Sequence, residues 1–139
     1  MTAPAWLNQE DPLHSTVKYV ASISPNYNWV GLYFLKGDYL EVGPYIGAPT
    51  EHTKIPVGQG ICGRAISENK DLNIPNVHLE ENYLACSLET KSELVVLIRN
   101  KRGEILGQID IDSHTRDAFN PADESKVREA ADILGSFLD

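Results

Sequence analysis

Basic residues are scarce in this sequence, and so are long apolar runs. Of its 139 residues, 12 are Lys or Arg and 20 are Asp or Glu, which gives a formal net charge of −8. This balance argues against binding to a nucleic-acid backbone, which usually requires a basic face. No apolar run approaches the roughly 20 residues that cross a bilayer. The N-terminal stretch MTAPAWLNQEDP lacks the basic and apolar regions of a secretory signal. We therefore expect a cytoplasmic protein with one domain spanning residues 1–139.

Cysteine is also scarce, since Cys62 and Cys86 are the only two. Their separation excludes a Cys-x-x-Cys redox motif, and with four scattered histidines they make a weak zinc ligand set, so no bound metal is expected. The chain has no Gly-x-Ser-x-Gly, Walker or His-Glu-x-x-His motif. Gly58-Gln59-Gly60 followed by Gly63 has the bare spacing of a phosphate-binding fingerprint, but no parallel βαβ unit surrounds it.

Capping and turn signals divide the chain into helices and strands. Asp11-Pro12 and Asn120-Pro121 each place a capping residue before a proline, which predicts the start of a helix. Aromatic and branched residues predict a hairpin of residues 29–35 and 39–46 around Lys36-Gly37-Asp38. The remaining predictions are short strands at 52–55 and 72–74, a short helix at 61–68, an irregular stretch at 76–90, a central strand at 94–98 and a strand at 104–113. This order indicates an α+β domain.

The strand at 104–113 carries unexpected acids on one face. Alternation places Leu106, Gln108, Asp110 and Asp112 together, opposite the isoleucines. A solvated outer face is the simpler interpretation. The alternative is a pocket floor that binds an ammonium group or shares a proton. Glu93, just before the apolar run, is a third candidate acid.

Each cysteine also allows two interpretations. Cys62 follows a glycine-rich turn at the start of the short helix, where the helix N-terminus favours a thiolate. It could equally be a small buried apolar residue. Cys86 lies in the irregular stretch, where a cysteine has less reason to belong to the core and more reason to be reactive. Residue types alone leave a redox pair open.

Several blocks together resemble the free methionine-(R)-sulfoxide reductase family, whose members are single GAF domains. The blocks, in order, are Asn28-Trp29-Val30-Gly31-Leu32-Tyr33, Gly43-Pro44-Tyr45-Ile46-Gly47-Ala48-Pro49, Ile55-Pro56-Val57-Gly58-Gln59-Gly60-Ile61-Cys62-Gly63, Ala85-Cys86, Ser92-Glu93-Leu94-Val95-Val96 and Gly107-Gln108-Ile109-Asp110-Ile111-Asp112-Ser113. The resemblance covers nearly the whole chain, residues 27–138.

This resemblance implies a six-stranded antiparallel sheet flanked by N- and C-terminal helices, a homodimer, and a closed pocket for free methionine sulfoxide. The nucleophile it implies is Cys86. The pocket carboxylates are Glu93, Asp110 and Asp112, which combine substrate binding with catalysis. Trp29 is expected to contact the methyl end of the substrate, and Tyr33 to line the same pocket.

The sequence departs from the family pattern at one position. Many members carry a third, resolving cysteine ten residues before the position of Cys62, where this chain has His52. A two-cysteine branch exists, and by analogy with it Cys62 resolves Cys86 through a disulfide. An external reductant, thioredoxin or a small thiol, then resets the pair, and no bound cofactor is expected. Two signalling alternatives remain: a non-catalytic, ligand-binding GAF sensor, and a thiol-based redox sensor.

Overall fold

The computed structural model describes residues 3–80 and 89–138. In chain order the elements are α1 Pro12–Ser22, β1 Trp29–Lys36, β2 Tyr39–Ile46, β3 Lys54–Pro56, α2 Gly60–Glu68, β4 Leu72–Ile74, a 3₁₀ turn Val77–Leu79, β5 Ser92–Arg99, β6 Ile105–Ser113 and α3 Pro121–Leu138. These bounds confirm the predicted hairpin and the predicted helix starts. The short strand predicted at 52–55 is β3, which begins two residues later, at Lys54, because residues 47–53 form a loop.

Both long helices begin at the predicted caps. The Asp11 side chain accepts a hydrogen bond from the backbone N–H of His14, with Pro12 as the first helical residue. At α3 the caps are reciprocal: the N–H of Asp123 donates to Asn120 Oδ1, and the N–H of Asn120 donates to Asp123 Oδ2. Reciprocal capping satisfies two amide groups that a helix start otherwise leaves unpaired. Local sequence therefore sets both helix starts.

The six strands form one antiparallel sheet in the order β3-β2-β1-β6-β5-β4. This confirms the expected six-stranded α+β architecture, and the short strand predicted at 72–74 is β4, at one edge of the sheet. The strand predicted as central, β5, lies next to that edge. It reads as a continuous apolar run because helices cover both faces of the sheet, so its side chains are buried on both sides.

The two faces of the sheet carry separate apolar cores. One core packs α1 and α3 against side chains such as Val30, Leu94 and Ile111. The other lies under α2 and includes Trp29, Tyr33, Cys62 and Val95. Alternate residues of each strand therefore enter different cores, and the acids of β6 lie on the α2 side. In the part of the chain that the structure describes, no helix is long and apolar enough to cross a membrane.

Candidate active site

A row of three side chains crosses the middle of the sheet on its α2 side. Asp112 of β6 pairs with Trp29 of β1 on one side and with Glu93 of β5 on the other. Directly opposed residues in an antiparallel sheet have Cβ atoms roughly 5 Å apart. The register therefore places two carboxyl groups and an indole side by side, although they come from distant parts of the sequence.

A second row lies next to the first and brings in a third acid. Here Asp110 stands between Gly31 and Val95. Cys62 reaches down from α2, and its thiol donates to Glu93 Oε2 across 3.6 Å. One donor atom from each of Cys62, Glu93 and Asp110 lies within 4.8 Å of the other two. The structure thus brings together four of the five residues predicted to be catalytic.

These carboxyl groups are buried, so the simpler interpretation from the sequence, a solvated outer face, is wrong. Glu93 is 3% exposed, Asp110 0% and Asp112 1%. Burial raises the pKa of Glu93 well above its ordinary value of 4.5, and the charges of Asp110 and Asp112 raise it further. Burial also raises the pKa of Asp110, while hydrogen bonding to Glu93 and Cys62 acts in the opposite direction. Of Glu93 and Asp110, Glu93 is therefore the acid whose pKa is raised more strongly.

Backbone contacts in the first turn of α2 hold Cys62 over the acids. Gln108 Nε2 donates to the Cys62 carbonyl oxygen across 3.0 Å, which ties the helix to the sheet. Gly63 is required for a different reason: a Cβ there would lie 2.5 Å from the Pro56 carbonyl oxygen. This close packing accounts for Gly63, and positive φ angles of 92° and 65° account for Gly58 and Gly60. The strand pairs among the described residues are all antiparallel, so this glycine spacing does not belong to a parallel βαβ unit.

Trp29 is fixed by contacts on several sides. Its indole N–H donates to the Ala48 carbonyl oxygen across 3.0 Å, and its ring stacks on Tyr45 at a centroid distance of 5.1 Å. A Cβ on Gly31 would lie 2.4 Å from the indole ring, and one on Gly47 would lie 2.7 Å from it. Two glycines therefore make room for an indole that is 5% exposed.

Tyr33 lies on the same face but farther from the acids. It pairs with Gln108, its ring lies 6.2 Å from that of Trp29, and its hydroxyl donates to the His52 carbonyl oxygen across 2.9 Å. Tyr33 borders neither of the two cavities described next. Its hydroxyl thus supports the loop at His52, and its lining of the substrate pocket stays a prediction.

Two cavities flank the row of acids. The larger, about 170 Å³, is lined by Asn28, Trp29, Ala48, Glu89, Thr90, Asp112 and His114. The smaller, about 10 Å³, reaches Cys62 and Glu93 and is bordered by His52. Cys86 lies outside the described residues, within 81–88, so its position relative to either cavity stays a prediction.

Comparison with known proteins places this fold and site in a family. The GAF domain family matches residues 10–138. The free methionine-R-sulfoxide reductase of Escherichia coli is 37% identical over 111 residues, which are 80% of this chain and 66% of that protein. The solved type II free methionine-R-sulfoxide reductase of Thermoplasma acidophilum has a TM-score of 0.87 and 34% identity, covering 94% of this chain and 92% of that one. The chain belongs to the free methionine-R-sulfoxide reductase family of GAF domains.

A further solved member is the free methionine-R-sulfoxide reductase of Neisseria meningitidis, in complex with its substrate. It matches with a TM-score of 0.84 and 28% identity, covering 94% of this chain and 77% of that one. The match to the E. coli protein covers 66% of the length of that protein. These matches confirm the family and the fold.

Sequence reasoning missed two residues of this free methionine-R-sulfoxide reductase fold. Gln108 was placed on the correct strand face, two residues from Asp110, but was given no role. Its side chain is fully buried in the structure, and a buried amide needs a hydrogen-bond partner. Gly31 was quoted only as part of a block. A glycine inside a strand often marks a place where a neighbouring group approaches closely, and this signal could have identified it.

Proposed function

We propose that this chain reduces free methionine-(R)-sulfoxide to methionine with electrons from an external thiol. The observation that carries the proposal is the buried cluster of Glu93, Asp110 and Asp112 beside Cys62, in a chain of the free methionine-R-sulfoxide reductase family. An amino-acid sulfoxide brings an ammonium group, which needs an anion, and an S–O bond, which needs a proton to break. In a cluster of acids with unequal pKa values, an ionised acid supplies the anion and a protonated acid supplies the proton.

The larger cavity supports a free amino acid as the substrate. Its volume of about 170 Å³ lies below the roughly 300 Å³ at which pockets for drug-sized ligands begin. A peptide does not fit such a space, whereas a single small zwitterion does. In our proposal the indole of Trp29 contacts the methyl end of the substrate, and an ionised aspartate, Asp110 or Asp112, pairs with the ammonium group.

The reaction begins with the Cys86 thiolate, which attacks the sulfoxide sulfur. Glu93 donates its proton to the sulfoxide oxygen as the S–O bond breaks, because its raised pKa keeps it protonated when ordinary carboxyls have ionised. The hydroxyl group then moves from the substrate sulfur to Cys86 Sγ as the sulfur–sulfur bond formed by the attack breaks, so methionine leaves and Cys86 becomes a sulfenic acid. Sulfur of the substrate is reduced by two electrons and sulfur of Cys86 is oxidised by two.

Cys62 closes the cycle in this proposal. Its thiol condenses with the sulfenic acid of Cys86, forming a disulfide and releasing water. Two thiol equivalents from thioredoxin or a small thiol then reduce the disulfide and are themselves oxidised to a disulfide. The position of Cys62 beside Glu93 supports this role, since Glu93 can accept or return the protons that these steps move.

The epimers of free methionine sulfoxide provide the test. Reduced protein is incubated with the R,S mixture and dithiothreitol, and methionine and each remaining epimer are quantified by chromatography. We expect only the R epimer to disappear. A methionine-sulfoxide peptide, which exceeds the cavity, is the matched control and should remain unchanged. Binding of the sulfoxide with no methionine formed would contradict the proposal and favour the GAF sensor.

The two cysteines should fail in different ways. Cys86→Ser removes the nucleophile, so no methionine should form. Cys62→Ser leaves the first step intact, so with a thioredoxin system it should release one methionine per chain and then stall as the sulfenic acid, which dimedone labelling detects by mass spectrometry. Full multiple turnover by Cys86→Ser would exclude it as the nucleophile.

A further inference from the structure

Cys62, Glu93 and Asp110 bring one sulfur and two carboxyl groups to a single buried point. Their donor atoms lie within 4.8 Å of one another, and Cys62 Sγ is 3.6 Å from Glu93 Oε2. In a tetrahedral zinc site with Zn–S near 2.3 Å and Zn–O near 2.0 Å, a sulfur and an oxygen ligand lie roughly 3.5 Å apart. The Cys62–Glu93 pair already has this separation, and an Asp110 oxygen lies within 4.8 Å of both of their donor atoms, so it is placed to be the third ligand.

Asp110 provides a second, separate indication that a cation belongs here. Its side chain is fully buried, and within residues 3–80 and 89–138 neither carboxyl oxygen accepts a hydrogen bond from an N–H group. Its hydrogen bonds to Glu93 and Cys62 stay within the same cluster, and no Lys or Arg of the described residues acts on its pKa, so no positive charge neutralises it there. A buried carboxylate is costly unless it is paired or coordinates a metal.

The smaller cavity provides room for a further ligand. It reaches both Cys62 and Glu93, and its volume of about 10 Å³ is close to the minimum that holds one water molecule. Three protein ligands and one water complete a tetrahedral set of the kind that zinc adopts. The sequence expectation of no metal considered only thiols and histidines, whereas here carboxyl groups supply two of the ligands.

We propose that Cys62, Glu93 and Asp110 form a binding site for a thiophilic divalent cation of the zinc class. Binding forms one metal–sulfur and two metal–oxygen bonds and releases the protons of the Cys62 thiol and of Glu93, with no electron transfer. The consequence for activity rests on the proposed function. Because the same thiol and acids serve that reaction, the cation is a reversible inhibitor that competes with free methionine sulfoxide.

The direct test uses Cd²⁺, which stands in for Zn²⁺ and gives an ultraviolet thiolate-to-metal absorption band. The Cys86→Ser variant, fully reduced, is titrated with Cd²⁺. We expect a band that saturates at one metal per chain and that Zn²⁺ displaces. Cys62→Ser should give no band, and Asp110→Asn should bind at least about 10-fold more weakly. The exposed Asp117, changed to Asn, is the matched control and should bind as before.

Three results would overturn this site: no band in the reduced wild type, a band that persists in Cys62→Ser, or a band lost in Cys86→Ser. Circular dichroism checks that each variant is folded. If Cys62→Ser does not fold, the loss of affinity in Asp110→Asn decides the question by itself, and unchanged affinity there refutes the site.

The two proposals, the reductase activity and the metal site, are tested by different measurements. Cd²⁺ binding that depends on Cys62, in a protein that forms no methionine, upholds the metal site while the reductase proposal fails. Methionine formation without a Cd²⁺ band refutes the metal site and leaves the reductase proposal intact. When both hold, free methionine sulfoxide should raise the apparent dissociation constant for Cd²⁺ in the Cys86→Ser variant, which binds the substrate without consuming it.

Discussion

The pKa of Glu93 makes a prediction that separates stability from activity. Burial and two neighbouring aspartates raise this pKa well above 4.5 in the folded protein, whereas the unfolded chain has the ordinary value. A carboxyl group with a raised folded pKa destabilises the fold progressively as pH rises from the unfolded pKa toward the folded one. Glu93→Gln places a neutral side chain of the same shape there, so this pH-dependent loss should vanish.

The size of the effect follows from the ordinary pKa. Each pH unit through which the folded protein keeps a proton that the unfolded chain loses costs about 1.36 kcal/mol. At pH 7, which lies 2.5 pH units above the ordinary value of 4.5, the gain from Glu93→Gln is therefore at most about 3.4 kcal/mol. Near pH 4, where the carboxyl is protonated in both states, the gain should be close to zero.

Activity should change in the opposite direction. An amide has no proton to give to the sulfoxide oxygen, so Glu93→Gln should lower kcat at least about 100-fold, the lower end for a positioned proton donor. Its amide can still donate a hydrogen bond to Asp110, which preserves the packing of the cluster. A more stable and nearly inactive variant is the expected combination.

Urea unfolding of the reduced protein, followed by circular dichroism at several pH values between 4 and 8, measures the stability difference. Glu129 is exposed on α3, and Glu129→Gln is the matched control that should show no pH-dependent gain. A difference between Glu93→Gln and wild type that stays constant across this range, or a variant less stable at pH 7, would refute the reasoning. Unchanged kcat would exclude Glu93 as the proton donor.

Two further predictions concern the frame around the site. Gly31→Ala puts a Cβ into space that the Trp29 indole occupies, so it should destabilise the fold by about 1–3 kcal/mol. It should also raise KM more than it lowers kcat. An unchanged melting temperature would show that the indole moves aside freely. Asp71 accepts from the Leu97 N–H across 2.9 Å and pairs with Arg128, which donates to the Leu97 carbonyl oxygen. Asp71→Ala removes two of these bonds at a partly exposed site, and should cost about 1–2 kcal/mol in urea unfolding with kcat unchanged.

Much of the frame could be predicted from local sequence. The caps at Asp11 and Asn120 act within one helical turn, so three or four residues suffice to determine them. The alternation along β6 correctly placed Gln108, Asp110 and Asp112 on one face, because successive side chains of a strand point to opposite sides. It wrongly placed Leu106 with them: the pairing of β6 with β5 shifts register between Ile98 and Arg99, and Leu106 packs against the core under α1 and α3. The predicted strand ends were wrong by one or two residues: β3 begins at Lys54, after the loop at 47–53, and β5 spans Ser92–Arg99 where 94–98 was predicted.

The character of the acidic face required the tertiary structure. Periodicity shows which side chains share a face, but whether that face is covered depends on where α2 packs. Once α2 lies over the sheet, the same carboxyl groups are dry, the pKa values of Glu93 and Asp110 rise, and Cys62 meets Glu93 from a different element.

The sequence by itself determined the helices, the strands and the set of residues with chemical potential, since these depend on neighbours along the chain. The resemblance in its motifs correctly indicated the family. Only the tertiary structure decided that Glu93, Asp112 and Trp29 form one row across three strands, because register joins residues that are far apart in the chain. It also gave Gln108 and Gly31 their tasks, which depend on contacts with a helix and an indole that local sequence does not specify.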